Sequence, residues 1–175
     1  MARPASSSAA LPIAHIVLRI LIVLNWLMVP LVLALLFVLP NEQWIMRAFK
    51  LSPSPDAARV VMGMRAIAAL GLVAVPLNYA VLKRLLAIVE TVRAGDPFVA
   101  ANADRLQAIG WALLALQLLS LVIGAVADAI STPAHPVHLD AGFSINGWLA
   151  VLLTFLLARV FAQGTLMRDD LAGTV

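Results

Sequence analysis

The sequence predicts an all-α integral membrane protein, a four-helix bundle in which helices two and three run on into a cytosolic helical hairpin. Three observations carry that prediction. Of 175 residues 63% are hydrophobic and only 12% charged, with a mean hydropathy of +1.00, whereas a soluble domain uses roughly a quarter charged residues. Four uncharged apolar runs, at 20–40, 66–82, 106–127 and 141–158, each come close to the ~20 residues that carry a helix across the hydrocarbon core. Between the second and third runs, residues 83–106 read KRLLAIVETVRAGDPFVAANADRL and hold seven of the 21 charged residues.

Taken in order, residues 1–11 are small and polar with a single Arg3, and are expected to be a disordered cytosolic tail ahead of one transmembrane domain at 12–175. The first apolar run is too long for a signal-peptide core and has no cleavage site after it, so it stays as helix one, about 12–40. The loop that follows carries QWIMRAFKL, an amphipathic patch suited to the lipid interface, with Trp44, Ile45, Phe49 and Leu51 among headgroups and Arg47 and Lys50 wet. SPSP then breaks helix, and Asp56 is placed to cap helix two at about 57–94.

Within 83–106 the apolar positions Leu82, Leu85, Leu86, Val89 and Val92 recur at helical spacing, while Lys83, Arg84, Glu90 and Arg93 fall elsewhere around the turn. Gly95 supplies a helix stop, Asp96 suits an N-cap and Pro97 the first position of helix three, at about 97–130. Helices two and three are thus longer than the bilayer requires, and at 1.5 Å per residue the surplus projects roughly 15 to 20 Å beyond the inner boundary. Helix four, about 144–170, also overshoots. Arg159 to Leu171 are expected to lean on the hairpin with Val160, Phe161 and Leu171 inward, which makes a small cytosolic knob.

Orientation follows the Lys and Arg residues. With the N-terminus inside, eight of the twelve lie on the inner side and Arg47, Lys50, Arg59 and Arg65 on the outer, so both termini are expected in the cytosol of a bacterium, with the chain in its inner membrane. The net charge of +3 belongs to that bias, and no basic face is large enough to bind nucleic acid. Absence of cysteine removes disulfides and thiol chemistry.

The outer loop STPAHPVHLDAGFSIN gives His135, His138 and Asp140 an H-x-x-H-x-D pattern of zinc-ligating types. With no remote fourth ligand or second shell in view, a solvated polar loop is the better reading, and no metal is assigned. Arg65 and Asp128 lie near the outer ends of helices two and three, where a charge near lipid needs a partner, so they are expected to face one another or share an outer polar pocket, as a structural ion pair in preference to a substrate site. Asn25, Asn78 and Thr154 sit at equal depth from the inner boundary and are expected to share one polar layer, either as interhelical glue or as a small ligand pocket, with Pro76 kinking helix two there. Ser120 and Gly124 form a small-xxx-small pair that is expected to let another helix approach closely. No run carries a central Asp or Glu, and there is no H-E-x-x-H, P-loop, G-x-S-x-G or helical histidine pair for haem, so no enzyme and no cofactor are expected.

At Gly95, Asp96, Pro97, Phe98, Asn102, Leu106, Ile109 and Gly110, then LARVF at 157–161 with Gly164, Met167, Arg168, Asp170, Leu171, Gly173, Thr174 and Val175, the chain resembles a bacterial membrane family known as domain of unknown function 2975. The likeness runs from about helix two onward, with helix one similar in hydropathy alone. It implies a four-helix membrane protein of unestablished activity, often encoded beside a small helix-turn-helix regulator. Ala162, Gln163 and Ala172 stand where relatives are expected to be charged.

The function expected is therefore a membrane-embedded interaction protein. Its partners would be the bilayer, a small helix-turn-helix regulator held through Glu90, Arg93, Phe98, Asn102, Asp104 and Arg105, and a second copy of the chain, with no direct contact to nucleic acid. The alternatives are a lipid- or quinone-binding or transport module using the polar layer, and a structural subunit of a larger membrane complex.

Overall fold

The computed structural model describes residues 7–38, 55–131, 137 and 139–172. They form four helices in chain order, α1 (Ser7–Val38), α2 (Pro55–Arg93), α3 (Ala100–Ile130) and α4 (Ile145–Ala172), with no strand among the described residues. The patch expected at 44–51 and the histidines His135 and His138 lie outside them.

Four boundaries differ from the sequence reading for local reasons. Helix α1 starts at Ser7, not at 12, because Ala9 and Ala10 are strong helix formers that extend it back into the tail. Pro55, not a residue after Asp56, opens α2, using the proline preference for the first helical position. Helix α3 starts at Ala100, three residues past the expected Pro97, and its N-cap is Val99, which makes no side-chain cap. At α4 the cap is Ser144, whose hydroxyl accepts the Gly147 N–H at 3.2 Å.

Gly95 does end α2. Its φ is +88°, its N–H donates to the Val92 carbonyl, and the Asp96 N–H reaches back to the Thr91 carbonyl, each at 3.1 Å. That pair of bonds is a Schellman motif, which needs a left-handed residue at its centre and so favours glycine.

The extensive helix contacts join sequence neighbours: α1 packs on α2, α2 on α3, α3 on α4. The antiparallel register is readable from side chains. Val32 and Leu36 of α1 pack on Val61 and Ala68 of α2. Trp26 meets Tyr79 edge-on at 5.4 Å. Between α3 and α4, Trp111 meets Phe155 at 5.4 Å, and Gly110 lies so close to that phenylalanine that a Cβ there would stand 3.0 Å from it. The start of α1, the end of α4 and the α2–α3 turn therefore lie at one end of the helix array.

Large apolar side chains cover the outside of the array. On α1 they run from Ile13 to Phe37, and on α4 from Ile145 to Met167. Such a surface is stable only against lipid. All four helices are long and apolar enough to cross a membrane, and α2, with 39 residues, is about 58 Å long, nearly twice the hydrocarbon thickness.

Candidate functional site

The α2–α3 hairpin is closed by one side chain. Asn102, in the first turn of α3, is completely buried. Its amide Nδ2 donates to the Thr91 hydroxyl at 2.7 Å and to the Pro97 carbonyl at 2.8 Å, while its Oδ1 accepts from the Arg105 guanidinium at 2.7 Å. Arg105 also donates to the Ala87 carbonyl of α2 at 3.5 Å. One amide thus binds the last turn of α2, the turn segment and the first turn of α3, with a charge-assisted bond among the three. Asn102 is accordingly corrected as a partner contact: it has no surface to offer. Arg105 is half-buried, turned onto Asn102 and Ala87.

The end of α4 docks on this hairpin. Phe161 packs its ring on Phe98 with centroids 5.4 Å apart, and Gly164 lies where a Cβ would come within 3.2 Å of Phe98. Arg168 donates to the Asp96 carboxylate and, at 3.1 Å, to the Phe98 carbonyl. Asp96, three residues ahead of the Val99 cap position, thus serves α4 and not α3. Phe161 faces inward as expected, whereas Val160 is 53% exposed, contrary to expectation, and the Leu171 side chain is not among those described. From the other flank, His15 Nε2 of α1 comes within 3.5 Å of Glu90 Oε1, a contact the sequence reading missed because it crosses 75 positions. Glu90, Arg93, Phe98 and Asp104 stand exposed around the interlocked turn.

The expected polar layer does not form. Asn25 does make an interhelical bond, but to the backbone, with Nδ2 donating to the Val75 carbonyl of α2 at 3.1 Å. Asn78 is exposed. The Thr154 hydroxyl donates to the Ala150 carbonyl of its own helix at 2.7 Å. Equal depth is not enough, because α4 is separated from α1 and α2 by the serial packing. At Ser120 and Gly124 the close neighbour is not another helix, as expected, but the α3–α4 connection at Gly142. The Ser120 hydroxyl accepts the Gly142 N–H at 3.1 Å and donates to its carbonyl at 3.3 Å, and a Cβ on Gly124 would stand 2.8 Å from the Gly142 Cα.

Ion pairs between described residues include His15–Glu90 and Arg168–Asp96. Arg65 is half-buried on α2, and Asp128 is exposed near the end of α3. With Asp140, Ser131 and Leu139 it lines a cleft of about 530 Å³ beneath the α3–α4 connection. Among the described residues no group of three His, Cys, Asp or Glu could hold a metal. In mid-span, Gln117 is buried against Gly147, and its Nε2 has no hydrogen-bond partner among the described residues.

Four long apolar helices in antiparallel succession, with a polar interlock at one end, define a multi-pass α-helical membrane protein. The family model described as "Protein of unknown function (DUF2975)" matches residues 7–175, and the chain belongs to that family. The match takes in α1, which resembled relatives only in hydropathy. No curated protein and no solved structure matches the chain.

Proposed function

We propose that the protein is a non-enzymatic membrane anchor whose interlocked hairpin and α4 end form a recognition surface for a partner protein. The observation that carries this reading is the docking of Phe161, Gly164 and Arg168 onto Phe98 and Asp96, which makes three helix ends one rigid body. A rigid surface loses little conformational entropy on binding. Glu90, Arg93, Phe98 and Asp104 supply its exposed charge and one aromatic anchor, the combination favoured at interfaces. Asn102 and Arg105 act beneath it by holding its shape.

The end that bears the start of α1 and the end of α4 faces the cytosol in this reading, supported by the excess of Lys and Arg assigned to that side. A small helix-turn-helix regulator is the partner proposed. The polar-layer alternative loses its support, since Asn25, Asn78 and Thr154 do not meet. The experiment is capture of the candidate regulator by the intact protein from native membrane, alongside a variant with Glu90→Arg, Arg93→Glu and Asp104→Arg. Capture by the wild type and not by the variant is expected; equal capture by both removes the proposal.

A further inference from the structure

The junction between apolar and charged sequence falls at Leu82 and Lys83 on α2, and at Leu106 and Arg105 on α3. The hairpin stitch brings the two junctions level, because Arg105 reaches the Ala87 carbonyl. Between the helices there lies a pocket of about 400 Å³ lined by Tyr79, Ala80, Lys83, Arg84, Ala87 and Arg105. Three of the six are cations, and none has a carboxylate within ion-pairing reach among the described residues. Of the nearby acids, Glu90 faces His15, Asp96 is held by Arg168, and Asp104 lines a different cleft with Gln107, Phe155 and Arg159.

The cations are held but not used up. Arg84 donates through Nη1 to the Ala80 carbonyl at 3.0 Å, and Arg105 through Nη1 to Asn102 and Ala87. A guanidinium has five N–H donors in a fixed fork, so each keeps a free edge matched to two oxygens of a phosphate. Lys83 Nζ lies 5.8 Å from the centre of the Tyr79 ring and makes no hydrogen bond among the described residues. Tyr79 is itself backed by Trp26 of α1, and such an aromatic pair suits the level of lipid headgroups.

One more feature selects the ligand. Positions 69, 73, 76, 80, 83 and 87 succeed one another at spacings of three and four, so they share one face of α2. Ala69, Val73 and Pro76 on it are exposed and apolar. The cationic pocket therefore opens directly onto an apolar helix face running into the membrane. We propose that this is a binding site for an anionic phospholipid, with Lys83, Arg84 and Arg105 taking the headgroup phosphate and the α2 face taking an acyl chain. Phosphate is the shared chemistry of a lipid headgroup and a soluble anion; the apolar face below favours the lipid.

The test is native mass spectrometry of the full chain released from detergent after incubation with phosphatidylglycerol, with phosphatidylcholine, or with phosphatidylglycerol plus excess inorganic phosphate. Lys83→Gln with Arg84→Gln is expected to lower phosphatidylglycerol retention about tenfold or more, at roughly a factor of five per cation. Arg159→Gln, an exposed cation on α4, leaves it unchanged, and phosphatidylcholine is not retained by the wild type. If the double variant does not fold, Lys83→Gln alone is read in its place for a smaller loss, since Lys83 makes no hydrogen bond among the described residues. Equal retention by the variant, an equal loss in Arg159→Gln, or displacement of the lipid by inorganic phosphate each overturns the assignment.

Discussion

The guanidinium of Arg168 near the end of α4 meets the carboxylate of Asp96 in the turn between α2 and α3, across 72 positions of sequence. Both side chains are about half exposed, so the bond positions the helix end more than it stabilises the fold. Arg168→Ala is expected to change overall stability by less than about 1 kcal/mol. Phe161→Ala loses the ring contact with Phe98, worth about 1 kcal/mol beyond its buried area. Hydrogen exchange over 159–168 should rise modestly in the first and strongly in the second. If Arg168→Ala frees the segment as completely as Phe161→Ala, the ring contact is not what docks it.

Asn102→Ala removes two donated bonds and the bond accepted from Arg105, and leaves the Pro97 carbonyl without its donor. Roughly 2 to 3 kcal/mol of destabilisation is expected, against about 1 kcal/mol for Thr91→Val, which loses one neutral bond. Thermal unfolding in detergent measures both. An Asn102 variant as stable as the wild type would show that the amide does not close the hairpin.

Two glycines should respond differently to the same substitution. A Cβ on Gly63 would stand 2.3 Å from Cγ2 of Ile130, a side-chain atom. Gly63→Ala is expected to cost about 1 to 3 kcal/mol and to be relieved when combined with Ile130→Ala. At Gly124 the obstacle is the backbone of Ala141 and Gly142. Gly124→Ala therefore forces the α3–α4 connection away, disturbs the Ser120 bonds and has no side-chain rescue. The comparison is a double-mutant cycle by thermal unfolding, and additivity in the Gly63 and Ile130 pair counts against the contact.

Asn25→Val should lower stability by about 0.6 kcal/mol, the usual scale of an interhelical bond within a membrane. Thr154→Val should do almost nothing, because its hydroxyl serves its own helix. Combined, the two are expected to add. Coupling between them in unfolding experiments would restore the shared polar layer that the coordinates separate.

Local chemistry made the four helices and the Gly95 stop legible in the sequence. An apolar run long enough to span a bilayer has few competing structures, and a Schellman turn is written within six residues. What sequence hid was lateral. Asn25 and Thr154 occupy the same depth, yet depth does not say which helices are neighbours. Asp96 read as an N-cap because a local pattern allowed it, while the cation that claims it comes from the far end of the chain. Asn102 and Phe98 were legible as notable residues of the hairpin; that Asn102 is buried follows from its bonds to Thr91, Pro97 and Arg105, and that Phe98 packs on Phe161 follows from the far end of the chain, and no local pattern encodes either.

Because each large helix contact joins neighbours in the chain, no segment must wait for a distant one during biosynthesis. The first pair can settle while the third helix is still being made, and the hairpin is stitched before the fourth emerges, which keeps the search short and the exposed intermediates few. Order of synthesis then becomes order of assembly, and a product arrested after α3 should already carry the finished Asn102 clasp.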